Sequence, residues 1–166
     1  MAEVTNSKLL NTDTGIPKKN AFIVLVKTEW NAAIVDELER GSINKLKELG
    51  VKKLISVTAP GAVEIAFTIK NYWESSKKKK KRPDAFIALG CVIRGGTPHF
   101  DYVCKAVTEG IVQLNLMLPV PSIFGVLTVD NEEQAKERIG GRYGHKGEEA
   151  ALTALKMISL NQSFKK

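Results

Sequence analysis

Cysteine is scarce: the 166 residues contain two, Cys91 and Cys104. Two thiols cannot staple a disulfide scaffold, and both fall in apolar patterns, as reduced core residues of a cytosolic protein do. Histidine is as rare, and positions 91, 99, 104 and 145 lack the spacing of a metal site. Long apolar runs are missing. The longest uncharged one, Ala85 to Ile93, falls far below the ~20 residues of a membrane helix. Met1 to Asn20 lacks the apolar stretch of a secretory signal. No two of the 13 glycines are spaced i, i+2, so GxGxxG is excluded. Neither a GxxxxGK phosphate loop nor a GxSxG elbow occurs.

What remains is the composition of an ordinary globular chain, 43% apolar and 26% charged. Its length fits one domain, able to bury roughly two thirds of its unfolded surface. The net charge of +7 looks like a nucleic-acid signal but is local. Six of the 25 basic residues lie in Lys77 to Arg82; without them 19 face 18 acidic residues, a net of +1. Such a run reads as a solvated loop before it reads as a polyanion site.

Apolar runs at Ala21 to Val26, Leu54 to Val57, Ala85 to Ile93 and Ser122 to Val129 are continuous rather than alternating. That pattern predicts strands covered on both faces. Helical periodicity separates them at Asn31 to Leu49, Ala62 to Trp73 and Phe100 to Leu118. Asn131 to Ile139 and Glu148 to Leu160 continue the helical pattern, broken by Gly140, Gly141, Gly144 and Gly147. The order is a βαβ series. It predicts a single three-layer α/β/α domain over 21–166, with a four-stranded parallel sheet, flavodoxin-like. Residues 1–20 read as a tail, flexible or docked on a neighbour.

Ligands on such sheets bind at the carboxyl ends of the strands. Four strand ends carry unusual residues. Trp30 sits at the first turn, suited to stacking on a flat heterocycle; Asn31 is a plausible N-cap. Pro60-Gly61 turns the chain into Ala62, Val63 and Glu64, where helix-start amides suit an anionic ligand. After Ile93, the run Arg94-Gly95-Gly96-Thr97-Pro98-His99 pairs a flexible backbone with a cap and a proline, forming a candidate phosphate cradle. His99 in that first turn can move a proton near neutral pH. The fourth stretch, Phe124 to Gly147, carries Arg138, Arg142 and Lys146; arginine can grip phosphate bidentately. His145 reads as a loop histidine.

The sequence resembles the lumazine synthase family from about Ala21 to Phe164. The motifs, in order, are Glu29-Trp30-Asn31, Pro60 to Ile65, Ala88 to Cys104, Ile123 to Thr128, and Glu133-Gln134-Ala135 through Arg138. The long central motif is highly specific. The resemblance implies condensation of 5-amino-6-(D-ribitylamino)uracil with 3,4-dihydroxy-2-butanone 4-phosphate, without metal or organic cofactor. It gives 6,7-dimethyl-8-ribityllumazine, phosphate and water, the penultimate step of riboflavin biosynthesis.

By the same resemblance His99 matches the general acid–base and Trp30 the aromatic stacked on the pyrimidine. Ala62, Val63, Glu64, Cys91, Val92 and Ile93 match segments lining the pyrimidine and ribityl pocket. Gly96 and Thr97 match the phosphate-side backbone, and Arg138 the phosphate-binding arginine. Phe124 matches a pocket wall, and Lys146 a position near the substrate. In the family, Phe124 and Arg138 come from the adjacent subunit of a pentamer. Some pentamers build decamers and others sixty-subunit icosahedral shells, and the compact length of Gly140 to Gly147 resembles the shell formers. Riboflavin synthase is a further expected partner; nucleic acid and membrane are not. Trp30 and Val63 stand where many relatives have phenylalanine, and the lysine tract lengthens a loop usually short. Two competing readings are a nucleic-acid module built on that tract and a flavin-binding shell without turnover. The first lacks a basic face interleaved with aromatics; His99 and Arg138 argue against the second.

Overall fold

The computed structural model describes residues 8–12 and 20–165. Four parallel strands form one sheet in the order β2-β1-β3-β4. They are β1 (Phe22–Thr28), β2 (Lys53–Ala59), β3 (Ala85–Ile93) and β4 (Ser122–Val129). The helices between them are α1 (Ala32–Glu48), α2 (Ile65–Ser75) and α3 (His99–Met117). A short α4 (Glu132–Lys136), a two-stranded hairpin of β5 (Ile139–Gly141) and β6 (Gly144–His145), and α5 (Lys146–Ser163) complete the chain.

The sheet separates two cores, giving the expected three layers. Ile23, Leu25, Ile87 and Leu89 face α1 and α5. Val24, Val26, Phe86 and Ala88 face α2 and α3. The alternation follows from the two-residue period of a strand. Central β1 and β3 are buried on both faces, as their unbroken apolar runs predict. β2 departs from that expectation. It is an edge strand, half-exposed along most of its length, and the Ile55 side chain reaches solvent. Cys91 is buried, whereas Cys104 is only half-buried; both are free thiols.

The glycine-rich stretch before α5 is also more ordered than its composition implies. Gly140 and Gly144 take positive φ, at 113° and 75°, and turn the β5–β6 hairpin. Gly147 does not break a helix. It lies in the first turn of α5, where a Cβ would stand 2.1 Å from the Leu38 carbonyl oxygen. His145 is not a loop residue as the sequence reading has it: it pairs in β6 and caps α5. Its ring packs on Gly41, Nδ1 accepts from the Gly147 amide at 3.2 Å, and Nε2 lies 3.3 Å from Glu37.

The tail reading falls mostly on 1–7 and 13–19, outside the described residues. Lys8–Leu10 forms a 3-10 turn beside α5 of its own chain, where Lys156 donates to the Lys8 carbonyl at 3.2 Å. Among the described residues no helix is long and apolar enough to cross a membrane.

Candidate active site

The carboxyl ends of β1, β2 and β3 bring the first three sequence candidates to one edge of the sheet. β1 lies between the other two, in register with both. Asn31 begins this convergence. It takes the left-handed conformation, φ 55°, which asparagine tolerates better than most residues. It holds the N-cap position of α1, as the sequence reading has it, and its carbonyl accepts from the Ile34 and Val35 amides, but its side chain makes no cap bond. Instead Nδ2 donates to the Cys91 carbonyl at 2.8 Å, tying the β1 turn to the end of β3. The left-handed backbone turns the amide across the sheet rather than back along the helix.

Trp30, one residue earlier, is left 73% exposed. Its ring edge lies over Gly61: a Cβ there would be 3.6 Å from Trp30 Cδ1 and 2.8 Å from a Glu64 carboxylate oxygen. Glycine at position 61 thus lets the indole and the carboxylate approach one backbone turn. Ala62, Val63 and Glu64 form that turn and precede the helix; α2 starts at Ile65, three residues later than its periodicity predicts. Pro60-Gly61 bends the chain too sharply for helical hydrogen bonds to begin at once. An exposed flat ring bordered by a carboxylate is an apolar and hydrogen-bonding surface for a planar heterocycle.

β3 supplies the next side. Cys91 contributes its carbonyl rather than its thiol, because burial pushes the thiol up to about 11, well above reactive range. Cys91 and Ile93 turn toward α1 and α5, while Val92 turns toward α3. Beyond Ile93 the chain runs through Gly95 and Gly96, where an added Cβ would meet nothing within 4 Å. The turn is therefore open on its outer side. Pro98, not Thr97, holds the cap position of α3, and the Asp101 amide donates to the Pro98 carbonyl at 3.0 Å. A proline serves there because a cap needs a carbonyl and no amide. His99 opens α3, exposed and without a hydrogen-bond partner among the described residues. The open turn, the free amides of a 19-residue helix and an unpaired imidazole together suit an anion beside a proton-transfer step.

Phe124, Arg138 and Lys146 lie beyond β4. Phe124 faces the α3 side of β4, 41% exposed. It lines a groove of about 950 Å³ between α3, β4 and α5, as does Lys146. The Lys146 ammonium is held at 2.7 and 2.9 Å by both oxygens of Glu149. Arg138 lies over the Tyr143 ring, 4.8 Å from its centroid, and donates to the Gln134 carbonyl at 2.6 Å.

That groove runs along an open sheet edge. The Asn115 side chain bonds both the amide and the carbonyl of Ser122, at 2.8 and 2.9 Å, closing the first step of the edge. By the two-residue period the backbone groups of Phe124, Val126 and Thr128 point outward in the same direction.

Sequence reasoning placed Arg94 in the candidate cradle and Asp101 in the central motif but gave neither a role, and it did not single out Asp130. Arg94 reaches Asp130 at 3.0 Å and Asp101 at 3.3 Å, and its guanidinium lies 4.1 Å above the Phe100 ring. The signal available was opposite charge at the ends of two neighbouring strands and in the helix turn between them.

Known proteins now bear on this edge. The chain matches the family described as 6,7-dimethyl-8-ribityllumazine synthase over residues 20–162. A protein of that name from Parabacteroides distasonis is 48% identical over 141 residues, covering 84% of this chain and 85% of its own. One from Bacteroides fragilis is 44% identical over 144 residues, covering 86% and 97%. One from Porphyromonas gingivalis is 46% identical over 146 residues, covering 87% and 88%. The family match spans every strand end described above, and the chain belongs to the 6,7-dimethyl-8-ribityllumazine synthase family.

Proposed function

We propose that this chain condenses 5-amino-6-(D-ribitylamino)uracil with 3,4-dihydroxy-2-butanone 4-phosphate to give 6,7-dimethyl-8-ribityllumazine, phosphate and water. The observation that carries this reading is the shared edge of the sheet. An exposed indole bordered by Glu64 stands on one side, and an open glycine turn leading to His99 stands on the other. In this reading Trp30 stacks on the pyrimidine. Ala62, Val63, Glu64 and the backbone of Cys91, Val92 and Ile93 border the pyrimidine and its ribityl chain. Gly96, Thr97 and the α3 amides receive the phosphate.

The substrate amine is the nucleophile and attacks the ketone, so no protein nucleophile is required. Imine formation, phosphate loss, ring closure and dehydration each need a proton moved. His99, unpaired and beside the anion turn, serves those steps. Much of the rate comes from holding two reactants at one edge.

The second half of the reading is a homo-oligomer. Phe124, Arg138 and Lys146 lie across β4 from the indole, and a neighbouring copy supplies its own Phe124 and Arg138 to complete the site. The apolar groove and the open β4 edge support this, because a solvent-exposed edge beside apolar side chains invites pairing. A heterologous ring interface of this kind closes as a pentamer in the family resembled, and decamers or sixty-subunit shells are built from such rings. The enzyme acts in the cytoplasm, with riboflavin synthase as the partner that consumes its product. The test is lumazine formation from the two purified substrates, with the mass of the assembly measured in the same preparation. Absence of lumazine from an intact assembly rejects the reading.

A further inference from the structure

One guanidinium spans the structure around the open turn. The Arg94 amide donates to the Val129 carbonyl at 2.9 Å, which fixes the ends of β3 and β4 together. From that fixed point the side chain reaches three groups on two other segments. Nε donates to Asp130 Oδ1 at 3.0 Å, Nη1 donates to Asp101 Oδ1 at 3.3 Å, and the group stacks on Phe100 at 4.1 Å. Asp101 and Phe100 belong to the first turn of α3, beside His99. At the intervening Gly95 and Gly96 an added Cβ would meet nothing within 4 Å, so no side chain there sets the turn.

The Asp130 side extends further. The Asp130 amide donates to the Gln134 side chain at 3.0 Å, and the Gln134 amide donates to Asn131 Oδ1 at 2.9 Å. The Gln134 carbonyl accepts the Arg138 guanidinium at 2.6 Å. A continuous chain of hydrogen bonds thus runs from the turn carrying His99 to the turn carrying Arg138.

We propose that Arg94 is a positioning residue that sets the Gly95 to His99 turn through Asp101 and Phe100 and the Arg138 turn through Asp130 and Gln134. This rests on the reading above for its kinetic consequence but not for its structural one. A planar guanidinium can serve two carboxylates and a ring at once; a lysine ammonium cannot. Both ion pairs are solvent-exposed and individually weak, so the effect is graded rather than total.

The experiment has two independent arms on the whole assembly. In the first, amide exchange is followed by mass spectrometry. Arg94→Ala is expected to speed exchange several-fold in segments 95–104 and 130–140 and to leave β1 and α1 unchanged. Asp130→Asn is expected to affect 130–140 alone, and Arg94→Lys to restore part of the protection. Unchanged exchange in both segments, or a uniform loss across the chain, overturns the proposal. In the second arm, Arg94→Ala is expected to raise KM for the butanone phosphate about three- to thirtyfold, the sum of a few exposed polar contacts. Pyrimidine binding, read by quenching of tryptophan fluorescence, stays within about twofold. Equal KM values for wild type and variant overturn the kinetic consequence. If wild-type assembly makes no lumazine, the proposed function fails, and the exchange arm still decides the role of Arg94.

Discussion

The Asn31 side chain and the Cys91 carbonyl, 2.8 Å apart, join two strand ends separated by 60 residues of sequence. The bond holds the turn bearing Trp30 against the strand that leads to His99. Two substitutions separate its parts. Asn31→Gly keeps the left-handed turn and loses the hydrogen bond, and is expected to cost about 1 kcal/mol. Asn31→Ala loses both and costs about 1–2 kcal/mol more, because a Cβ resists that conformation. Urea denaturation of the two variants measures the difference; equal stabilities would remove the backbone from the account.

His99→Ala is expected to slow turnover by roughly ten- to a thousandfold while pyrimidine binding stays intact. The range covers the lower part of acid–base contributions, since water or buffer can reach an exposed site. Steady-state kinetics beside a binding titration decides. Unchanged turnover would leave His99 as a helix-start residue with no chemical role.

Cys91 predicts a pH dependence of stability. Burial raises its thiol from 9.0 to about 11, so between those values the folded chain holds a proton that the unfolded chain releases. Unfolding then releases protons, and stability falls as pH rises through that window. Two pH units correspond to about 3 kcal/mol in full. Cys91→Ala removes this dependence, so the stability gap between wild type and variant should narrow from pH 8.5 to 11. A gap independent of pH would contradict the burial argument.

Arg138→Ala is expected to raise KM for the butanone phosphate by about ten- to a hundredfold, the loss of a charge-assisted hydrogen bond, with little change for the pyrimidine. Mixing tests where Arg138 acts. Co-expressed with His99→Ala subunits, it should regain activity, with about a quarter of sites intact in an equal random mixture, if each site draws on two chains as proposed. No recovery in a mixed assembly verified by mass spectrometry would place both residues in one chain's site.

Deletion of Lys77 to Lys81 should leave turnover within about a factor of two. The tract lies beside Phe22 and Lys53, the first residues of β1 and β2, at the opposite end of the strands from the site. A large loss in an intact assembly would contradict that placement.

Much of this architecture was legible because hydrophobic runs report burial directly. Both β3 and β4 match their apolar runs at each end. The runs on β1 and β2 stopped short of the strands' carboxyl ends, because Lys27, Thr28 and Thr58 continue the ladder with polar side chains, and Lys53 opens β2 ahead of its run. The β5–β6 hairpin was invisible, since its glycines resemble a loop until pairing is seen. At the site, Trp30 and His99 were legible as residue types at strand ends. The Asn31 and Arg94 contacts were not, because each crosses between strands that sequence spacing leaves unordered. The open β4 edge was likewise beyond reach, since no run of residues announces which strand lies outermost.

The loop after α2 leaves the domain from two fixed posts. Ser76 is fully buried and its hydroxyl bonds the Trp73 carbonyl at 2.7 Å, while the Arg82 guanidinium stacks 3.4 Å above the Trp73 ring. One indole therefore anchors both the exit and the return of the chain. Lengthening a loop between anchored ends costs only about 0.6 kcal/mol per doubling. The five lysines occupy a port through which foreign sequence, a binding tag or a whole folded passenger, can be spliced into the chain while the fold and its working edge stay as they are.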